Sequence, residues 1–400
     1  MIDTMKTKCF LLFAAALIFT GCMSSKDGDF ETASPGDGYA DASVGGDGEG
    51  QEYAGKVTAG EWRDLDNWLF WSDLMTGQQA DQYSGFSSYW GLYTNHRVAV
   101  RVTNETGQPQ QDVRVQLLRQ NGAASATVYE ARTDNRGEVN LWVGLTQWQE
   151  TVDTTNLALA VNGATQSAPV SVTNWGEAVK WNELTATVSR QANIDIAFIV
   201  DATGSMSDEI SFLKADLTDI IAKVGNKHAD ANIRTAALFY RDEGDDYLTR
   251  VSDFSTDLKV TTAFIAKQQA GGGGDYPEAV HTALEVGLQQ LSWREDNSIR
   301  LVFMLLDAPP HKQDNVLTSL HATIPQYAQR GIRIIPVAAS GVDKYTEFFL
   351  RFMAMATDAT YVFITNHSGI GGEHIEATVG EYQVELLNDL MVRLIDEYMQ

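Results

Sequence analysis

The stretch Asp201-Ala202-Thr203-Gly204-Ser205 carries three oxygen-bearing side chains at alternate positions. Far along the chain, Asp307 adds a carboxylate at the end of an apolar run. Carboxylate and hydroxyl oxygens are hard donors, suited to Mg2+ first, or to Mn2+ or Ca2+. Gly204 lets the backbone bend tightly between the two hydroxyls, so the three side chains can face one point. The chemistry predicted is therefore binding of a divalent cation.

Such a set needs a scaffold that brings distant residues together. Ile194 to Val200 runs into Asp201, and Ile299 to Leu306 runs into Asp307. Short runs of Ile, Val, Leu and Phe read as strands buried on both faces of a parallel sheet. Ligands of open α/β sheets collect just beyond the carboxyl ends of the strands. After Asn193, strands alternate with helices. The helices are expected at 207–224, from about Pro277, and over 316–329 and 344–356; the strands at 233–240, 299–306, 332–338 and 361–364. Val384, Leu387, Met391, Leu394, Ile395 and Tyr398 make a final helical stripe. The order predicts an α/β fold, a doubly wound and mostly parallel sheet, preceded by a small antiparallel β-sandwich.

Asp201-Ala202-Thr203-Gly204-Ser205-Met206 resembles the metal-ion-dependent adhesion site of von Willebrand factor A domains, and Asp307 in Leu306-Asp307-Ala308-Pro309-Pro310 matches that family's last acidic position. The resemblance covers residues 191–400. It implies a cation held by Asp201, Thr203, Ser205 and Asp307, with one position left open for an acidic side chain of a protein partner. The family's distant threonine is missing. The chain reads Gly271-Gly272-Gly273-Gly274-Asp275-Tyr276-Pro277-Glu278 there, which makes Asp275 the first candidate replacement and Glu278 the second. Asp275 and Glu278 also fit a helix capping box. Asp242, in Arg241-Asp242-Glu243, would rim the same edge and could orient a water or hydroxyl, as could Glu278. His311 reads as a rim residue. The glycines lack the Gly-Lys-Ser/Thr of a phosphate loop.

The net charge of -24 argues against nucleic acid and favours cation binding. Residues 1–21 read as a lipoprotein signal, with Lys6 and Lys8 before an apolar core and Phe19-Thr20-Gly21-Cys22 resembling a lipobox. That resemblance implies lipidation of Cys22 and placement in a bacterial cell envelope, at the outer membrane, with the membrane as one partner. Residues 22–58 are acidic and rich in Gly, Ser and Asp, a composition that reads as a tether. Residues 59–94 are crowded with aromatics, expected to pack on the next domain; Trp62, Leu65, Trp68, Leu69 and Trp71 fit faces of a short helix. Residues 95–190 alternate apolar and polar positions between turn signals, as a sandwich does. The run Gly107-x-Pro109 through Leu117, then Thr133-Asp134-x-x-Gly137, resembles carboxypeptidase-regulatory or transthyretin-like modules.

The expectation is a lipid-anchored, cation-dependent binding protein and not an enzyme. A metal-dependent hydrolase is the alternative, but no nucleophile elbow or His-Glu-x-x-His is present. A metal-free envelope scaffold is the third reading.

Overall fold

A computed structural model describes residues 53–400 except 123, 148–150, 190 and 191. The signal segment, Cys22 and most of the acidic tether lie outside the described residues.

The centre of the fold is an eight-stranded sheet. Its parallel strands are β9 (Asn193–Asp201), β10 (Asn232–Tyr240), β12 (Ile299–Leu306), β13 (Ile332–Ala338) and β14 (Tyr361–Ile364). The strand order is β11 (Thr249–Ser255), β10, β9, β12, β13, β14, β1 (Thr58–Trp62) and β15 (Glu385–Leu386). Every residue of β12 is buried, as are all of β9 beyond Asn193. That is why both read as apolar runs, each broken only by one charged residue near its start, Asp195 in β9 and Arg300 in β12. The outer strands β11, β1 and β15 run antiparallel to their neighbours.

From β9 the chain winds outward to β10 and β11, then returns to the other side of β9 as β12. The winding therefore reverses between β9 and β12, which opens a crevice at their carboxyl ends. In the parallel register Val200 lies opposite Leu305, so Asp201 and Asp307 leave neighbouring strands almost level.

Eight helices connect or flank these strands among the described residues: α1 (Trp68–Thr76), α2 (Ala80–Trp90), α3 (Ile210–Lys227), α4 (Leu258–Ala266), α5 (Val280–Gln289), α6 (Asp314–Gln329), α7 (Lys344–Ala356) and α8 (Leu387–Met399). Val384 of the predicted stripe precedes α8 and is exposed, while Leu387, Met391, Leu394, Ile395 and Tyr398 are buried.

Residues 95–190 hold two small sheets. One orders β5 (Glu138–Val143), β2 (His96–Thr103) and β8 (Trp181–Thr185); the other orders β4 (Ala124–Arg132), β3 (Arg114–Asn121), β6 (Leu157–Val161) and β7 (Ala164–Thr165). One pair departs from antiparallel expectation, since β2 and β8 run parallel. These sheets meet the amino-terminal edge of the large sheet. Arg300, second residue of β12, is buried against the Asp112 carboxylate at 2.9 Å, and Tyr129 donates to the Ala356 carbonyl at 2.7 Å. The sandwich thus sits at the pole opposite the crevice.

The aromatic segment departs from a simple packed helix. Thr58–Trp62 is a full strand of the large sheet, wedged between β14 and β15. Trp62 and Leu65 precede α1, and Leu69 is exposed. Trp68, Trp71 and Trp90 are buried; Trp71 stacks on Phe348 of α7 at 5.6 Å. Arg351 of α7, fully buried, forms a two-pronged pair with Asp64 at 2.6 and 2.9 Å. A bidentate pair satisfies both charges with good geometry, which a buried ion pair requires.

Candidate metal centre

Asp201 ends β9 with its carboxyl wholly buried. Its Oδ1 accepts the Thr203 backbone N–H at 2.9 Å and the Thr203 hydroxyl at 2.7 Å. This local turn is what Asp does best two residues before a small polar residue. Thr203 Oγ1 lies 3.1 Å from Ser205 Oγ, so the three alternate side chains do face one another. Asp201 Oδ2 has no well-formed hydrogen bond, although the buried Tyr240 hydroxyl bears on its carboxyl.

Asp307 is buried as well, with Oδ1 unpartnered, and the Ser205 hydroxyl bears on its carboxyl. The glycine loop closes the third side. Gly204 N–H donates to the Gly272 carbonyl at 3.0 Å, and Gly271 N–H to the Ala202 carbonyl at 3.0 Å. This approach is so close that a Cβ on Gly204 would fall 2.8 Å from that carbonyl oxygen. Behind it, Arg241 Nε donates to the Ala202 carbonyl at 3.0 Å and Nη2 to the Gln269 carbonyl at 2.9 Å.

The two acidic candidates of the glycine loop separate here. Asp275 is exposed on the lip of the pocket. Glu278 is 3% exposed, turned inward, with Oε2 unpartnered. A Cβ built on Gly273 would lie 3.0 Å from Glu278 Oε1 and 3.3 Å from Thr203 Cβ, which puts the carboxyl beside the motif. No capping box forms, because α5 starts at Val280 with Ala279 as its cap residue. Instead Glu278 N–H donates to the Pro309 carbonyl at 2.9 Å, which ties the loop to the segment after Asp307. Asp242 pairs with His311 Nε2 at 2.7 Å, and its charge bears on the Glu278 carboxyl.

Burial, with neighbouring acidic charges added to it, raises the proton affinity of all three carboxyls. Burial first, then the Asp307 charge, lifts Asp201. Burial also lifts Asp307, against the hydrogen bond from Ser205. Glu278 is pushed up to about 9 by burial and then by the Asp201 charge. Buried charges are normally paired or bind metal, and these have no cationic side chain among their hydrogen-bond partners.

The pocket measures ≈ 790 Å³ and is walled by Gly272 to Gly274, by Ser340 and Gly341, and by Gly372 and Glu373. Tyr276 braces it, donating to the Gly341 carbonyl at 3.0 Å and accepting the Asp343 N–H at 3.1 Å. A larger cavity of ≈ 990 Å³ lies between β1, the sandwich and α8. Its arginines are already spoken for: Arg63 by Asp66 at 2.5 Å, Arg136 by Asp66 at 3.3 Å, Arg393 by Glu385 at 2.6 Å. Unsatisfied anionic oxygens mark the smaller pocket, not volume. Among the described residues no group of three or more His, Cys, Asp or Glu side chains forms a ready-made metal cage; the donor set at the crevice mixes carboxylates with hydroxyls.

Two residues of this neighbourhood are not picked out as site residues by sequence reasoning, which places Asp245 only in the acidic loop at the rim and passes over Glu209. Glu209 is buried below the pocket, accepting Ser340 N–H at 3.1 Å and facing His374 Nε2 at 3.1 Å. Asp245 accepts the Gly273 N–H at 2.9 Å and so holds the glycine loop. Both sit in polar runs that read as solvated, and nothing in their spacing sets them apart.

Residues 195–371 match the family model of the von Willebrand factor A domain. The chain is 35% identical over 128 residues to an ariadne-like RING finger protein of Acanthamoeba polyphaga mimivirus, a stretch that is 32% of this chain and 12% of the relative. It is 34% identical over 120 residues to the alpha-protein kinase vwkA of Dictyostelium discoideum, 30% of this chain and 19% of that one. The chain thus spans less than a fifth of the length of either relative. A crystal structure of the conserved hypothetical protein BatB from Bacteroides thetaiotaomicron aligns over 51% of this chain and 98% of its own, at 11% identity and a TM-score of 0.35. The stretch similar to von Willebrand factor A domains, residues 195–371, takes in both Asp201 and Asp307.

Proposed function

We propose that the crevice binds a divalent cation, Mg2+ before Mn2+ or Ca2+, and through it a protein partner. One observation carries the reading: Asp201 and Asp307, buried at the ends of neighbouring strands, each leave an oxygen unpartnered beside the hydroxyls of Thr203 and Ser205. Asp201 and Asp307 would hold the ion directly or through water, and Thr203 and Ser205 through their hydroxyl oxygens. A hard dication supplies there the positive charge that the chain withholds. An ion not fully ligated by protein keeps exchangeable waters, which an incoming oxygen displaces. The resemblance implies that this oxygen belongs to an acidic side chain of the partner. Cys22, in its lipobox-like setting, would be the lipidated anchor of an envelope protein.

The test is thermal. Mg2+ at about a hundred times its dissociation constant should stabilise the fold by roughly 2.7 kcal/mol, and Asp201→Ala should abolish that gain. An unchanged melting curve across millimolar Mg2+ and Mn2+ would sink the reading. Separately, Cys22→Ala should move the protein from the membrane fraction to the soluble fraction.

A further inference from the structure

We propose that the larger cavity, beside β1 and α8, is a docking site for an arginine-bearing segment of a protein partner. The inference stands apart from the cation reading. The crevice lies at the carboxyl ends of the parallel strands, whereas Thr360 places this cavity at the amino end of β14.

Charge selects the guest. Glu61, Asp66, Asp134, Glu381, Glu385 and Glu397 line the cavity, against the guanidiniums of Arg63, Arg136 and Arg393. The chain's own acids already occupy those arginines. Arg393 alone meets Glu61 at 2.8 Å, Glu385 at 2.6 Å and Glu397 at 2.8 Å. Arg136 and Arg63 share Asp66 and Asp134. An anion therefore finds no free cation here, and three carboxylate charges remain unanswered. Glu381 is exposed and has no ion pair among the described residues.

Size and stacking narrow the choice. The cavity measures ≈ 990 Å³, at the upper end of the about 300–1,000 Å³ of small-molecule sites. A bare ion needs far less. Tyr382 is 41% exposed, its ring held edge-on by Phe363 at 4.8 Å. Trp62 is half-buried, its indole N–H donated to Asp64 at 3.0 Å. Both line the cavity. A flat guanidinium lies on an aromatic face while its edge bonds a carboxylate in two-pronged fashion, a combination that an ammonium lacks.

Thr360 is an independent sign of a guest. It lines the cavity, is 3% exposed, and its hydroxyl has no hydrogen-bond partner. A buried hydroxyl left unpaired is unfavourable, and an N–H donor brought to this wall answers it. A neutral sugar would use the rings and the hydroxyl but leave the surplus charge standing.

The experiment titrates the full chain with end-blocked tri-arginine by calorimetry at low salt. One peptide should bind per chain. The double variant Glu381→Gln, Glu397→Gln should weaken binding about five-fold, and Tyr382→Ala about three-fold. Thr360→Val should weaken it about three-fold with no loss of thermal stability. Glu105→Gln with Asp230→Asn, exposed acids outside the cavity, should change nothing; this control separates a site from general attraction to a chain of net charge -24. Equal affinity in wild type and in the cavity variants would overturn the proposal, as would no binding at all. Binding of a neutral N-acetylglucosamine trisaccharide in place of tri-arginine would overturn it in favour of a glycan site. Tri-lysine bound as tightly as tri-arginine would overturn the choice of arginine. Glu381, Tyr382 and Glu397 are exposed, so these variants leave the core intact, and circular dichroism checks each fold.

Discussion

Strand β9 carries a buried aspartate near each end, and the two live in opposite surroundings. Asp195 enters the sheet and meets arginines: Arg234 at 2.9 and 2.6 Å and Arg294 at 2.5 Å, with the Arg294 N–H adding a bond at 2.8 Å. Asp201 leaves the sheet and meets a threonine, with one oxygen unpartnered and two further carboxyls nearby. Both are 0% exposed. The first is a finished structural element, its charge matched within the chain. The second is unfinished, and an unmatched buried charge is what a functional site looks like.

The contrast predicts that substitution at the two ends fails in different ways. Asp195→Ala strands two arginine charges and should cost about 3–5 kcal/mol, as breaking a buried pair does. That loss should be the same with and without Mg2+. Asp201→Ala removes a source of repulsion, so the ion-free protein should lose little stability or gain some. Urea denaturation of both variants with EDTA and with Mg2+ checks the pair. Equal destabilisation at both ends in EDTA would erase the distinction.

How much of this was legible follows from the same strand. Asp201 and Asp307 stand out in the sequence because each ends a short, strongly apolar run, as a strand buried on both faces of a parallel sheet does. The α/β order and most strand limits follow from the same signal. Strand β1 was not legible: Thr-Ala-Gly-Glu-Trp shows no alternation and follows a polar tether, and only pairing with β14 and β15 makes it a strand. Strand β11 and helix α4 likewise lack a buried run, with just Thr261 and Ile265 buried in α4. The choice between Asp275 and Glu278 hangs on the path of the glycine loop, which composition does not encode. Spacing fits a ligand and a helix cap equally; the fold buries Glu278 and leaves Asp275 exposed.

Proton competition sharpens the comparison further. A raised carboxyl binds a proton in the folded state that the unfolded chain releases near pH 4. By linkage, the ion-free protein should lose stability as pH rises from about 4 toward 9, the folded range for Glu278. Each carboxyl that stays protonated in the fold while ionised in the unfolded chain contributes roughly 1.4 kcal/mol of that loss per pH unit. Mg2+ must displace those protons, so its stabilising effect should be small at pH 5 and approach the ~2.7 kcal/mol expected at a hundred-fold excess only above pH 7. Melting curves at pH 5, 6.5 and 8, with Mg2+ and with EDTA, give the slope directly. An Mg2+ effect equal at pH 5 and 8 would mean that the carboxyls of the crevice are not what the ion touches.

The smallest effect concerns the loop that closes the unfinished end. Gly272 adopts φ +78°, and a Cβ there would fall 2.3 Å from the Asp245 carboxyl, the group that holds Gly273. Gly272→Ala therefore pays for a left-handed backbone and expels Asp245 from its hydrogen bonds, about 1–3 kcal/mol together. Its carbonyl accepts the Gly204 N–H, so the motif loop should loosen with it. Mg2+ affinity should fall, but by less than in Asp201→Ala, because every donor remains. Gly274→Ala is the control: φ is ordinary there and no atom lies within 4 Å of the new methyl, so stability and Mg2+ affinity should both hold. If the two alanine variants behave alike, the glycine loop is a passive connection, and the precision of the crevice must come from the strand ends alone.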